Sequence, residues 1–382
     1  MIAQIAAAPD DDAPRMVYAD YLTDRGDPLG DFIRVQCALA VEADPARRRQ
    51  LARAEHLLLA AHGAAWLAPL YDLFADRGDG DELAFTHERG FVAGARLPLA
   101  CADRLAALVD RAPLLCALAL HDRTYRPAGY DWLDAAFARP AWRRIAALDV
   151  DAFGAADAVA LAIARAPNLA ALTTLRLRGS NVFSVRGEPR HAGPPLGEAT
   201  VSSLATAPHL AGIVHLAITD DRIQNAGVRA IARGAWRLQS LDVRNQMIGR
   251  SLDLIDALSG PALAGLRALG LSASTVLPDV ATPLAAGGAL MPLLADLDLS
   301  MCGWQGDRVA VFCEALARPA LRRLDLSNNI MANAGAHALA RCPALAGLEH
   351  LALRGCRIGP AGVAALAASP YLNRVQVDLR EN

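Results

Sequence analysis

Residues 321–345, LRRLDLSNNIMANAGAHALARCPAL, are followed almost at once by residues 348–372, LEHLALRGCRIGPAGVAALAASPYL. Both open on L-x-x-L-x-L, pass through Asn or Cys, reach a Gly and end in a run rich in Ala and Leu. Residues 213–238, IVHLAITDDRIQNAGVRAIARGAWRL, do the same. In all three, 11 positions separate the second Leu of the motif from the Gly: Leu216 to Gly227, Leu324 to Gly335, Leu351 to Gly362. L-x-L has the alternation of a short strand, and the stretch after the Gly has helical spacing. A strand–helix unit of this size cannot bury its apolar face alone, so successive units must stack.

Weaker copies run LQSLDV, LRALGL, LADLDL, LTTLRL, IAALDV and LCALAL. Marked by the same Leu, the copies fall at Leu118, Leu148, Leu175, Leu216, Leu241, Leu269, Leu297, Leu324 and Leu351, with a last one at Val375. Their spacings are 30, 27, 41, 25, 28, 28, 27, 27 and 24 residues. This period and motif resemble the leucine-rich repeat, and the helical second half resembles the ribonuclease-inhibitor type. The resemblance covers roughly the last two-thirds of the chain and implies an α/β fold, a right-handed leucine-rich-repeat solenoid. Strands stack about 4.8 Å apart and helices roughly 8–10 Å apart, so such a ladder bends into a horseshoe. Its parallel sheet lines the concave wall and its helices the convex one. Cys302, Asn329 and Cys356 follow the L-x-L motif where this family uses Asn or Cys to satisfy backbone groups at a turn. Trp304 occupies the position of Ile223 and Ile358 and reads as core; Cys313 and Cys342 read as small core hydrophobes.

Residues 1–74 have helical periodicity instead and are expected to form a small all-α domain. Asp12 is placed to cap a helix from Ala13, and Gly26 to end it. Asp27-Pro28 and Asp44-Pro45 read as N-caps followed by Pro at the first helical position. Asp20, Asp24 and Asp31 remain, solvated or paired with Arg15, Arg25 or Arg34; no loop spacing gathers them into a divalent-metal site. The elements P-x-D-x-A-P-R, V-Y-A-D-x-L and G-D-x-x-G-x-F-I-R-x-Q across residues 1–40 resemble the bacterial repeat-companion domain, a helical module found at the N-terminus of repeat proteins. The resemblance implies architecture and no chemistry, with Arg15, Tyr18, Asp20, Asp31, Arg34 and Gln36 as signature polar residues. Residues 75–105 read as a linker and a hairpin turning at Glu88-Arg89-Gly90, which caps the solenoid of residues 106–382. An insertion near 181–200 accounts for the long spacing.

Composition narrows the function. The formal charge is -2 and the pI about 6.5, which gives no electrostatic reason to expect nucleic acid as a partner. All 38 basic residues are Arg, which excludes a catalytic or Schiff-base lysine and a lysine-dependent phosphate loop. Seven scattered Cys with no CxxC pair fit a reduced, cytoplasmic protein without a zinc site. No signal peptide is read at the N-terminus. No apolar run is read as a membrane span, the stretch Leu284–Leu299 being broken by Gly, Pro and Asp. No nucleophile, metal or cofactor signature stands out, so no enzymatic activity and no cofactor are expected.

What remains is surface. The residues before, between and after the last two apolar positions of each motif face the concave side. They place Arg176, Arg178, His215, Asp242, Arg244, Asp296, Asp298, Arg323, Asp325, His350 and Arg354 on one wall. Asp298 and Asp325 are expected as direct neighbours. A mixed-charge wall suits a protein or peptide partner, in which complementary charge sets specificity. Arg186, Arg190 and His191 in the insertion offer a second contact. Two other readings are a GTPase-activating or other enzyme-regulating protein of the ribonuclease-inhibitor-like type, and a self-assembling structural protein.

Overall fold

The computed structural model describes residues 1–76, 82–122, 129–152, 155–179, 181–183, 189–191, 196–220, 223–245, 248, 253–274, 278–287 and 290–382. They form two compact units: Met1–Asp122 with Ala135–Leu148, and Arg123–Asp134 with Asp149–Asn382. The domain boundaries expected at 74/75 and 105/106 both lie inside the first unit.

The first unit begins with four helices, α1 (Ile2–Ala7), α2 (Ala13–Thr23), α3 (Leu29–Val41) and α4 (Pro45–Tyr71). The hairpin β1 (Ala84–Glu88) and β2 (Phe91–Pro98) follows, then α5 (Leu105–Arg111) and β3 (Ala117–Asp122), which is parallel to β2. Gly26, at φ +70°, ends α2, and the Asp27 N–H reaches back to the Leu22 carbonyl at 3.0 Å, closing a Schellman-type turn. Asp27 then accepts the Leu29 N–H at 2.9 Å, and Asp44 accepts those of Ala46 and Arg47. One cap differs from expectation. Asp11, not Asp12, accepts the Ala13 N–H at 2.9 Å. Asp12 instead pairs with Arg89 of the hairpin turn at 3.2 Å, a partner 77 residues away that local reading does not reveal.

The hairpin and the helices share one core. Ala19, Leu22, Ile33 and Cys37 are buried together, with Tyr18, Leu29 and Phe91 packed against them. Arg89 (φ 49°) and Gly90 (φ 89°) form a two-residue turn of the twist that hairpins favour. Gly90 lies so close to α3 that a Cβ there would stand 2.2 Å from Ile33 Cγ1. Its N–H donates to Gln36 Oε1 at 2.6 Å, and Gln36 Nε2 donates to Glu55 of α4 at 2.7 Å. One amide thus ties two helices to the hairpin. Arg34 joins Asp20 at 2.6 Å, Thr23 Oγ1 at 2.6 Å and Asp31 at 3.3 Å.

Helix α4 corrects one expectation. Continuing to Phe74, it is long and apolar enough to cross a membrane by length and composition, whereas no such run had been read. Its charged first turns and the Gly, Pro and His residues farther along interrupt the apolar run in the sequence. Leu51, Gly63 and Leu70 are its buried positions, and Trp66 packs on Phe32 at a centroid distance of 5.1 Å.

Helix α6 (Trp132–Phe137) and strand β4 (Ala147–Ala152) contribute residues to both units. In the second, β5 (Thr174–Arg178), β8 (His215–Thr219), β9 (Ser240–Asp242), β10 (Ala268–Gly270), β11 (Asp296–Asp298), β12 (Arg323–Asp325), β13 (His350–Ala352) and β14 (Gln376–Asp378) pair in that order, all parallel. Between β5 and β8 stands the inserted antiparallel pair β6 (Asn181–Phe183) and β7 (Pro189–His191). The helices between strands are α7 (Ala156–Ala164), α8 (Glu198–Thr206), α9 (Gln224–Ala232), α10 (Asp253–Leu258), α11 (Pro278–Ala286), α12 (Gly306–Ala315), α13 (Ala332–Ala340) and α14 (Pro360–Ala367). The marker leucines Leu175, Leu216, Leu241, Leu269, Leu297, Leu324 and Leu351 pair in register and are buried, which leaves the residues between them to the opposite face of the sheet.

The last repeat is the exception to the expected register. Leu351 pairs with Val377, not Val375. Residues two apart share a face, so alternation alone does not separate them. Two recurring features do. From Leu216 onward, four places after each marker the chain enters the left-handed region: Asp220, Asn245, Ala273, Met301, Asn328, Gly355 and Glu381 all have φ between 54° and 64°. Five places after come Cys302, Asn329, Cys356 and Asn382. Asn329 is wholly buried, accepts the Trp304 N–H at 3.0 Å and donates to the carbonyls of Leu299 and Leu326. Asn382 repeats this set on Cys356, Ile358, Leu353 and Leu379.

Candidate functional site

Strand pairing fixes two columns of residues on the open face of the sheet in the second unit. Across β8 to β14 the middle column runs Ala217, Asp242, Gly270, Asp298, Asp325, Ala352 and Asp378, each the register partner of the next. With the last strand registered on Val377, Asp378 closes this column and Gln376 closes the column before it. That preceding column reads His215, Ser240, Ala268, Asp296, Arg323, His350 and Gln376.

The middle-column acids have a local structural role. Each accepts the backbone N–H two places on: Asp242 from Arg244 at 3.1 Å, Asp298 from Ser300 at 2.9 Å, Asp325 from Ser327 at 2.8 Å and Asp378 from Arg380 at 3.1 Å. An acid here turns the chain out of the strand, which explains why D-L-S recurs. Arg244 also bonds Asp242 at 2.8 Å, and Arg323 approaches Asp296 at 3.9 Å. Burial pushes the Asp298 carboxyl up from its ordinary value, and the charge of Asp325 adds to this; the Ser300 hydrogen bonds oppose it.

Two cavities open on this face. One of about 370 Å³ is lined by Asp242, Arg244, Asp296, Asp298, Arg323, Asp325 and His350, with Ser240, Ala268, Gly270 and Ala352 among them. The other, about 420 Å³, is lined by Thr174, Arg176, His215, Ala217, Ser240, Asp242 and Arg244. Ser240, Asp242 and Arg244 border both, so the two form one trough. Residues named from the sequence line it throughout. The small residues Gly270, Ala217, Ala268 and Ala352 make it hollow, and nothing in their own chemistry marks them as site residues in the sequence.

The remaining named residues lie outside the trough. Arg178 joins Asp151 and Asp220 at 3.3 and 3.4 Å, and Arg354 pairs with Glu381. Arg190 and His191 belong to β7, whereas Arg186 lies outside the described residues. Among the described residues no group of three or more His, Cys, Asp or Glu side chains is arranged to hold a metal ion. Cys342 is buried and its Sγ lies 3.5 Å from the Cys313 carbonyl.

Residues 348–367 match the family model described as Leucine Rich repeat. No curated protein matches the chain. Among solved structures, an internalin from Listeria monocytogenes is 11% identical, covering 71% of this chain and 82% of its own, with a TM-score of 0.30. The Rad7–Elc1 complex of yeast is 13% identical over 75% of this chain and 74% of that one, with a TM-score of 0.40. The TLR13–ssRNA13 complex is 14% identical over 76% of this chain and 46% of that one, at 0.38. At these scores they add nothing to what the strands and helices themselves display. Motif and register make the second unit a ladder of parallel strand–helix repeats, and one of these repeats, residues 348–367, matches the leucine-rich repeat model.

Proposed function

We propose that this chain is a non-enzymatic interaction module of the bacterial cytoplasm that receives a protein or peptide on the open sheet face of its leucine-rich repeats. The trough over β5 to β13 carries the reading: a surface on which small residues and acids share the middle column and charges of both signs flank it. Such a surface offers apolar contact in the centre and charge for orientation. We read residues 1–74 as a repeat-companion domain. The ties of Arg34 to Asp20 and Asp31, and of Gln36 to Glu55 and Gly90, support a role for its signature polar residues in holding the helices and the hairpin together.

Affinity capture from the native cell, run in parallel with the unaltered chain and with an Ala217→Trp/Ala352→Trp variant, tests the proposal. Both substitutions fill the trough from positions whose side chains stand off the sheet, so folding should be unaffected, as checked by circular dichroism. Partners held by the unaltered chain should be lost from the variant. Equal recovery by both would refute the sheet face as the contact.

A further inference from the structure

The acids of the sheet face fall into two kinds, and the residue two places on separates them. Asp242 and Asp378 are followed there by Arg244 and Arg380, and each Arg turns back onto its own carboxylate. Asp298 and Asp325 are followed by Ser300 and Ser327, which supply hydrogen bonds but no charge. Among the described residues neither carboxylate has an ion-pair partner, since Arg244 and Arg323 are engaged by Asp242 and Asp296. The two acids are register neighbours on strands about 4.8 Å apart, and both side chains stand on the same face of the sheet. Gly270 flanks the pair on one side and Ala352 on the other. The result is a notch in the floor of the 370 Å³ cavity, with Ala352 at one end, the Asp242 carboxylate beside Gly270 at the other, and between them two negative charges that no ion pair engages, Arg244 acting on Asp298 only through space.

We infer that this notch receives an arginine side chain of the partner. The inference rests on the sheet-face reading above and narrows it. A guanidinium is planar and carries donors on more than one edge, so one group can bond both carboxylates, whereas an ammonium is a point charge with a tighter water shell. The aliphatic stem of the arginine lies over Ala268 and Ala352, whose side chains are single methyl groups, while the space over Gly270 is bordered by the Asp242 carboxylate. An acidic side chain at the same place meets like charge, and a neutral one leaves the pair uncompensated. D-x-S repeats thus make the binding acids, and D-x-R repeats make the self-neutralised ones.

Selection of a random heptapeptide phage library on the full chain tests the inference, followed by fluorescence anisotropy of a selected peptide and its arginine-to-citrulline form. One position should be enriched in arginine, and citrulline, which keeps the shape and loses the charge, should weaken binding at least tenfold. The Asp298→Asn/Asp325→Asn variant keeps an oxygen for each serine N–H, folds as before, and should lose the arginine preference. Selected peptides without that preference, or with one that survives the Asn substitutions, would overturn the inference. If those peptides are still displaced by Ala217→Trp/Ala352→Trp, the sheet-face reading stands alone; if they are not, both fail. Sedimentation showing self-association abolished by the Asn pair would assign the notch to a second copy and likewise overturn the inference.

Discussion

At the scale of single residues, the repeat is held by a few side chains whose replacement has predictable signs. Asn329 serves three backbone groups from a fully buried site, so Asn329→Ala should cost about 3 kcal/mol in chemical denaturation. Asn329→Cys should cost less, because Cys302 and Cys356 fill the same position and their thiols reach carbonyls at 3.2–3.5 Å. Met301 shows the opposite sign. It holds φ at 56° with its side chain 58% exposed, so Met301→Gly should stabilise by about 0.5 kcal/mol. Asp298 has a pH signature. Its folded pKa lies above the ordinary carboxylate value, so its ionised form costs stability above that pKa, and the cost is relieved as pH falls through it. Asp298→Asn should therefore stabilise at pH 7 by about 0.5 kcal/mol, reduced by solvent screening, and be neutral near pH 3. Melting curves at the two pH values check the difference. The Asn/Cys position and the aspartate columns were legible from the repeat. The role of Asp12 was not, because Arg89 reaches it from a distant turn.

At the scale of elements, register and local charge decide what is legible. The strand register of the well-formed repeats follows from the marker leucines, because a one-residue slip would expose all of them. The final strand was misplaced by two residues, a slip that keeps every side chain on its face. Asn382, five places after Val377, resolves it. Arg318 was invisible for a different reason: an Arg between repeats reads as surface. It is 6% exposed and donates to the carbonyls of Leu284, Met291 and Leu290, closing the C-terminal end of α11. Removing it leaves those carbonyls buried without a donor. Arg318→Ala should cost about 3 kcal/mol, read as a drop in the denaturation midpoint. Gly90 fixes the hairpin against α3, and neither its φ nor its proximity to Ile33 admits a Cβ. Gly90→Ala should release the hairpin, raising amide exchange in β1 and β2 far above that in β9 to β13.

At the scale of the whole molecule, the sequence predicted a separable helical domain ahead of a capping hairpin. The structure places Phe91, Arg89 and Gly90 of the hairpin in contact with Tyr18, Asp12 and Gln36, so helices and hairpin share one unit. Deletion of residues 1–74 therefore strips the hairpin of one packed face and should lower the melting temperature, not leave it unchanged. The repeat architecture was legible because it recurs at a fixed period. The trough was only half legible: its charges stand in the sequence, but its hollowness comes from Gly and Ala residues that become neighbours only once the repeats stack.

The sheet face as the place of contact is tested most directly by photo-crosslinking in the native cell. Benzoylphenylalanine would be installed in place of Ala217 or Ala352 on the sheet face, and in place of Val311 or Val363, which are exposed on helices α12 and α14. Adducts are expected from the two strand positions and not from the two helix positions. Adducts from Val311 or Val363 alone would contradict the account.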